Sequence, residues 1–453
     1  MKQYDVIFIG GGPAGYTGAI RTCELGLKTL LIEKEKIGGV CLNWGCIPTK
    51  AMLASALLAD KINRAVQFGL EVRFEPPHKL WKIVEKKDAI VRDLSAGLEG
   101  TLKRKGVEVL QGKASFTGPH VLTVEGNGGT EEFQGGAIVI ATGSRPQELP
   151  GIPFNGDSIL SSNDILALNN LPQKLGIIGG GVIGCEFASL FRTLGAEVTV
   201  VEMLPQLLPN VDSDIAKRLE TIFKRRGIQV FTGRKLEKLS SDGHTLSGLL
   251  SDGERFSCDK LLVAVGRKRN TDDLGLERAG IETDRGAIRV DEFLQTTAKG
   301  VFAAGDVIAS PQLAHVAEAE ARLIAENLKR TPVAMDYRGW PNTVFTHPEV
   351  AGAGLTKAEA EKQGIKVRET RYVLGALGKA HVEREPEGLF KLVFEESSRR
   401  VLGAHMIGDR VSELAGEISL AVRLGARVDD LAGTIHAHPT FSEMIWEAAK
   451  ASL

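Results

Sequence analysis

The sequence predicts an α/β protein built around two Rossmann-like dinucleotide-binding domains. A strand, glycine loop, helix and second strand follow one another twice, and each copy closes on a carboxylate at the same distance. Length supplies the third observation: 453 residues exceed one ordinary core, and at ~150 residues per domain suggest about three or four domains.

The first copy, YDVIFIGGGPAGYTGAIRTCELGLKTLLIEKE, opens with the apolar run Val6 to Ile9, continues through Gly10, Gly12 and Gly15 into a helix, and reaches a strand ending at Glu33. The second, KLGIIGGGVIGCEFASLFRTLGAEVTVVEM, repeats the plan with Gly179, Gly181, Gly184 and Glu202. A lone GxGxxG is weak in a chain with 52 glycines. Its placement between strand and helix, with the carboxylate 23 residues after the first glycine in both copies, is what makes it specific. The glycines permit a tight turn and close approach of backbone to pyrophosphate, the helix N-terminus offers N–H donors, and the carboxylate accepts from ribose hydroxyls. Glu202 would repel a 2′-phosphate, and no Lys or Arg occurs from Met203 to Ala216, which favours NAD over NADP.

GGAIVIATGSRP reads as an apolar strand leading into Thr142–Gly143, and DKLLVAVGRKRN repeats the form at Val265–Gly266. KGVFAAGDVIASPQLAH is a strand ending in AGD, where Asp306 is placed to bond a sugar-like hydroxyl chain; a helix cap or turn residue is the alternative.

Two of the five cysteines, Cys41 and Cys46, stand close together in GGVCLNWGCIPTK. An ideal helix would separate their Cα atoms by ~8.6 Å, beyond the about 7 Å that a disulfide tolerates, so a bridge needs an irregular turn, which LNWG supplies. Pro48 suits the first turn of the following helix. Cys46 then lies near a helix N-terminus, which favours the thiolate. A thiolate beside a second thiol is the arrangement disulfide exchange requires. Zinc is the rival, but no second ligand pair or nearby His completes a site, so no metal is expected. Cys23, Cys185 and Cys258 read as small core residues.

Exchange also needs a proton acceptor. TIHAHPTFSEMIWEAA carries His436, His438 and Glu443, with Glu443 at a helix start where it can accept from His438 and fix the tautomer. The remaining composition excludes other classes. Net charge −1 provides no footprint for nucleic acid or an anionic membrane. No run reaches ~18 apolar residues, and the N-terminus is not a signal peptide. A close cysteine pair in a chain without export signals reads as redox-active, and the expected compartment is cytoplasmic.

Together these residues resemble the pyridine nucleotide–disulfide oxidoreductases from GGGPAGY to HAHPTFSE, most closely the branch that oxidises dihydrolipoamide. CLNWGCIPTK is the most specific element, and TVFTHPEVAGAGLT matches the opening of the family's C-terminal interface domain. The resemblance implies an α+β dimerisation domain after the two Rossmann-like domains. The expected divisions are an FAD domain at 1–145, an NAD domain at 146–268, a central segment completing the FAD site at 269–337, and an interface domain at 338–453.

It also implies FAD in the first site and NAD in the second. Glu33 would hold the FAD ribose and Asp306 the ribityl chain. Lys50 would stand beside the flavin, paired with Glu186. Ala114, Thr142, Gly143, Leu313, Ala314 and His315 would be further FAD contacts, and Gly266 and Glu202 would contact NAD. Cys41 would exchange with substrate, Cys46 would lie against the flavin, and His438 would be the base, oriented by Glu443 and reaching the cysteines of the other subunit of a homodimer. The implied substrate is a lipoyl-bearing protein of a 2-oxo acid dehydrogenase complex core or a glycine cleavage system. Val40 and Trp44 depart from the commoner Thr and Val. The start at the first Rossmann strand implies no fused lipoyl domain, and the end without a cysteine pair disfavours mercuric reductase and the large thioredoxin reductases. Glu202 disfavours glutathione reductase. The alternatives are another NADH-dependent disulfide or quinone reductase, and a non-catalytic FAD-bearing docking subunit.

Overall fold

The computed structural model describes residues 1–72, 79–126, 128–243 and 245–453. The chain divides into two compact units. One comprises Met1–Ala51, Lys82–Gln147 and Gly266–Asp336; the other comprises Met52–Trp81, Glu148–Val265 and Tyr337–Leu453.

In the first unit the strand Lys2–Ile9 lies between Thr29–Glu33 and the long strand Gly129–Ile140, parallel to both. Glu108–Gln111 extends the sheet on one side, and Val301–Ala303 pairs in parallel with the last residues of Gly129–Ile140. The earlier half of that strand turns antiparallel, pairing with Val121–Gly126, which pairs with Lys113–Gly118. Val6, Ile7, Phe8 and Ile9 are all buried, as a central parallel strand covered on both faces requires. The helix Pro13–Glu24 packs with a face of small residues, including Ala14, Gly15, Gly18 and Ala19. A Cβ on Gly18 would fall 2.4 Å from the Phe8 ring, so only glycine allows this approach. Five parallel strands thus end, after Ile9, Glu33, Gln111, Ile140 and Ala303, on one edge of the sheet, where α/β folds bind ligands.

The second unit repeats the theme. Its parallel sheet runs in the order Ile228–Phe231, Glu197–Val201, Lys174–Ile178, Lys260–Val263, Ile159–Leu160. The C-terminal region forms a five-stranded antiparallel sheet, Pro341–Val344, Glu349–Gly354, Val401–Gly408, Leu389–Glu395 and Val367–Val373. The helices Val411–Leu424 and Glu443–Lys450 contribute to its core. Buried Lys391 on this sheet binds both oxygens of Asp212, at 2.9 and 2.8 Å. Asp212 in turn caps the helix Ser213–Arg225. The expected architecture of two Rossmann-like sheets and a C-terminal α+β domain is borne out. No helix among the described residues is long and apolar enough to cross a membrane.

Candidate active site

The two glycine loops share one geometry. Gly10 (φ +107°) and Gly179 (φ +108°) turn the chain out of the sheet, each where a Cβ would lie 2.3 Å from the carbonyl oxygen of the residue just after a neighbouring strand, Ala141 or Ala264. A Cβ on Gly15 or Gly184 would lie 1.7 or 1.9 Å from the carbonyl oxygen of Gly10 or Gly179, which forces close helix–strand packing. Gly12 and Gly181 precede the helices, and no side chain caps either N-terminus. At Gly181 nothing would approach an added Cβ within 4 Å, and at Gly12 only Gly39 Cα does, at 3.9 Å. An open cradle with uncapped N–H donors fits a pyrophosphate at each loop.

The carboxylates are equally alike. Glu33 Oε2 accepts from Gly11 N at 2.6 Å and Oε1 from Glu35 N at 2.7 Å. Glu202 accepts from Gly180 N at 2.5 Å and from Leu204 N at 2.7 Å. Each is therefore fixed beside its loop. The Arg234 backbone N–H donates to Glu202 O, and its guanidinium is engaged by Asp252 at 2.7 Å.

On the same edge of the first unit, Thr142 Oγ1 donates to Asn270 O at 2.7 Å, and Gly143 adopts φ +67°. Asp306 sits in the short turn Gly305–Val307 and caps no helix; its carboxylate accepts from Ser144 Oγ at 2.5 Å. Ala114 is a buried strand residue, and Leu313, Ala314 and His315 form the start of the helix Ala314–Asn327. Gly266 has φ +126°.

The cysteines occupy a break between two helices. Gly38 (φ 95°) opens the short helix Gly39–Trp44, Gly45 ends it, and the helix Cys46–Asn63 begins at once. The expected irregular turn is thus confined to Gly45, and Cys46 is the first residue of its helix. Asn43 Nδ2 donates to Ile37 O and Gly39 O, at 3.0 and 2.9 Å, pinning the first helix. Cys41 and Cys46 are free thiols whose side chains are hydrogen-bonded to each other. That hydrogen bond, then burial, then the negative charges of Cys46 and Glu318 push the Cys41 thiol far above its ordinary range, while Lys50 pulls it down. Cys185 and Cys258 are buried core residues, and Cys23 is half-buried.

In the second unit, Glu443 is the first residue of its helix. His438 Nδ1–H donates to its Oε1 at 2.9 Å, and Thr440 N to its Oε2 at 2.8 Å. Burial favours the protonated acid, but these bonds and the two histidines outweigh it and hold the Glu443 pKa low. The His438 side chain is 76% exposed, leaving Nε2 outward. His436 differs. Its side chain is only 5% exposed, stacked near Trp446, with Nδ1 at Thr434 O and Nε2 at Glu417. Glu186 is buried in the helix Val182–Leu194 and accepts from Phe345 N at 3.0 Å.

Several further residues are not singled out by the sequence. Glu320, fully buried, accepts from Gly305 N at 2.6 Å and fixes the AGD turn; only a carboxylate on an otherwise apolar helix face betrays it. Tyr16 donates to Glu318 at 2.8 Å, and burial with that bond holds its hydroxyl protonated. Ser144 and Arg267 join Asp306 across the fold.

Residues 4–321 match the model of the pyridine nucleotide-disulphide oxidoreductases, and residues 340–449 match the family's dimerisation domain. Dihydrolipoyl dehydrogenase from Thermus scotoductus is 41% identical over 100% of this chain and 98% of its own length. That from Bacillus subtilis is 39% identical over 99% of this chain and 98% of its own. Among solved structures, LpdA from Mycobacterium tuberculosis superimposes with TM-score 0.92 at 29% identity, covering all of both chains. The HOCl-induced flavoprotein disulfide reductase RclA from Escherichia coli does so with TM-score 0.88 at 29% identity, covering 99% of each. With both family domains matched across nearly its whole length, this chain belongs to the pyridine nucleotide–disulfide oxidoreductases, which use FAD and NAD(H).

Proposed function

We propose that the chain is a dihydrolipoyl dehydrogenase, oxidising a protein-bound dihydrolipoyl group to the lipoyl disulfide and passing two electrons through FAD to NAD⁺. The observation that carries this reading is the hydrogen-bonded Cys41–Cys46 pair at a helix start, in the same unit as the first glycine loop.

The residues divide the work as follows. His438, its Nδ1–H committed to Glu443, takes a thiol proton from the substrate at Nε2. The resulting thiolate attacks Cys41 of the oxidised pair; the Cys41–Cys46 bond breaks and Cys46 leaves as thiolate. The second substrate sulfur then attacks the first, closing the lipoyl disulfide and releasing Cys41. Cys46 is the first residue of its helix, where the helix terminus favours a thiolate, so a single negative charge on the reduced pair rests there. Glu33, the first glycine loop, Thr142 and Asp306 would hold FAD, with Asp306 able to accept from a hydroxyl of its ribityl chain. The second loop and Glu202 hold NAD, and Arg234, paired with Asp252, offers no free cation to a 2′-phosphate. Bound FAD supplies the two-electron transfer to the nicotinamide. The dimerisation domain supports a homodimer in which His438 serves the cysteines of the other copy, and the lipoyl carrier belongs to a 2-oxo acid dehydrogenase complex core or a glycine cleavage system.

The test is NADH formation from dihydrolipoamide, compared with NADP⁺ as acceptor and with thiol titration of the reduced protein. NAD⁺-dependent turnover and two thiols beyond the flavin are expected. Reduction of glutathione disulfide or a quinone in place of lipoamide would instead assign another reductase on this scaffold, and no extra thiols would exclude disulfide chemistry.

A further inference from the structure

The chain leaves the first sheet through Ser144–Pro146 and returns through Arg267–Arg269, and these two strands pair antiparallel, Arg269 opposite Ser144 and Arg267 opposite Pro146. Asn270 ties the base of this ribbon to the flavin-side edge: its Nδ2 donates to Thr142 O at 2.9 Å and its N to Gly143 O at 2.9 Å. Ser144 is buried, and its position is therefore set by the ribbon.

The Ser144 hydroxyl stands between a cation and a carboxylate. Arg267 Nε donates to Ser144 Oγ at 2.6 Å, and Arg267 Nη2 to Ser144 O at 2.8 Å. A guanidinium has only donors, so the hydroxyl must accept from it and turn its own proton to Asp306 Oδ2, 2.5 Å away. Arg267 itself stays 3.7 Å from that oxygen, too far for a direct hydrogen bond. Oδ2 is thereby committed, while Oδ1 accepts from no described residue.

We infer that Ser144 and Arg267 are positioning residues for FAD, holding the Asp306 carboxylate so that Oδ1 faces a hydroxyl of the ribityl chain. The inference rests on the reading of Asp306 given above. Without the hydroxyl, Asp306 is free to swing onto the guanidinium and lose its aim. Burial lowers the Arg267 pKa, and the negative charges of Asp306 and Cys46 only partly offset it.

The test is FAD binding to the apoprotein, followed by flavin fluorescence and thermal melting, in Ser144→Ala, Arg267→Gln, Ser144→Thr and Asp306→Asn. Ser144→Ala and Arg267→Gln should each weaken FAD binding about tenfold, the loss of one oriented hydrogen bond. Ser144→Thr, which keeps the hydroxyl, should restore it, and the Michaelis constant for NAD⁺ should not move in any variant. Parent-like FAD affinity in Ser144→Ala alongside weakened binding in Asp306→Asn overturns the positioning role and leaves Asp306 standing. Parent-like affinity in Asp306→Asn overturns both. A loss in Ser144→Ala that Ser144→Thr does not restore, or that merely follows a lowered melting temperature, also overturns the role.

Discussion

At the residue scale the two histidines near the C-terminus separate by environment. His436 has both ring nitrogens engaged and is enclosed, whereas His438 offers Nε2 outward with its tautomer set by Glu443. His438→Gln should lower dihydrolipoamide turnover by about 10²–10⁴-fold, the usual contribution of a positioned base, while FAD stays bound; near-normal turnover would mean that another group takes the proton. The thiols separate in the same way. Cys46 is the one at a helix N-terminus, which favours the thiolate, so Cys41→Ser should leave a Cys46 thiolate that gives long-wavelength absorbance with oxidised flavin. A variant lacking that band would reverse the assignment of the two sulfurs.

At the element scale, both nucleotide loops are built by backbone contacts that leave no room for a side chain at Gly10 and Gly15 or at Gly179 and Gly184. Gly184→Ala places a methyl 1.9 Å from Gly179 O, so the loop must open. The NAD⁺ Michaelis constant should rise more than about tenfold with the flavin spectrum intact, as kinetics and absorbance together will show. The Cys46 helix is secured differently. Near its far end Asp60 meets Arg64 at 2.8 Å, Arg226 at 3.5 Å and His347 at 3.5 Å. Burial raises the Asp60 pKa, but the His347 contact and the two arginines outweigh it and hold it at about 2. A carboxyl depressed on folding stabilises above its unfolded pKa and loses that contribution as pH falls through the folded value. Asp60→Asn should therefore cost about 2 kcal/mol at neutral pH and nothing once the pH falls below about 2. Denaturation at pH 7 and across the acid range measures the gap, and a cost that does not shrink on acidification would refute this origin.

At the scale of the whole molecule, the dimerisation domain exposes apolar side chains that a single copy has no use for. Leu420, Leu424 and Ile435 are 57%, 73% and 92% exposed. The two leucines stand one turn apart on Val411–Leu424, and Ile435 lies three residues before His438. Replacing Leu424 and Ile435 by Glu should yield a monomer in sedimentation. Its lipoamide turnover should fall at least about 100-fold, because in the proposed dimer the base and the sulfurs of one copy serve different sites. Electron transfer from NADH to a small artificial acceptor, which needs no base, should persist. A monomer with full lipoamide turnover would place the whole site within one chain.

What the sequence by itself determined is local. The glycine loops, a helix starting close to the second cysteine, and the His438–Glu443 pair depend on φ constraints, helix termini and spacings of a few residues, and these act before any tertiary contact forms. Even the architecture of two nucleotide sheets was legible, because the same local plan occurs twice. The tertiary structure decided which strand ends share an edge. That order brings Ser144 to Asp306 and Arg267 to Ser144 across more than a hundred residues, and sets Glu320 under Gly305. No periodicity or spacing encodes such meetings, since they follow from sheet order and chain return rather than from the residues on either side.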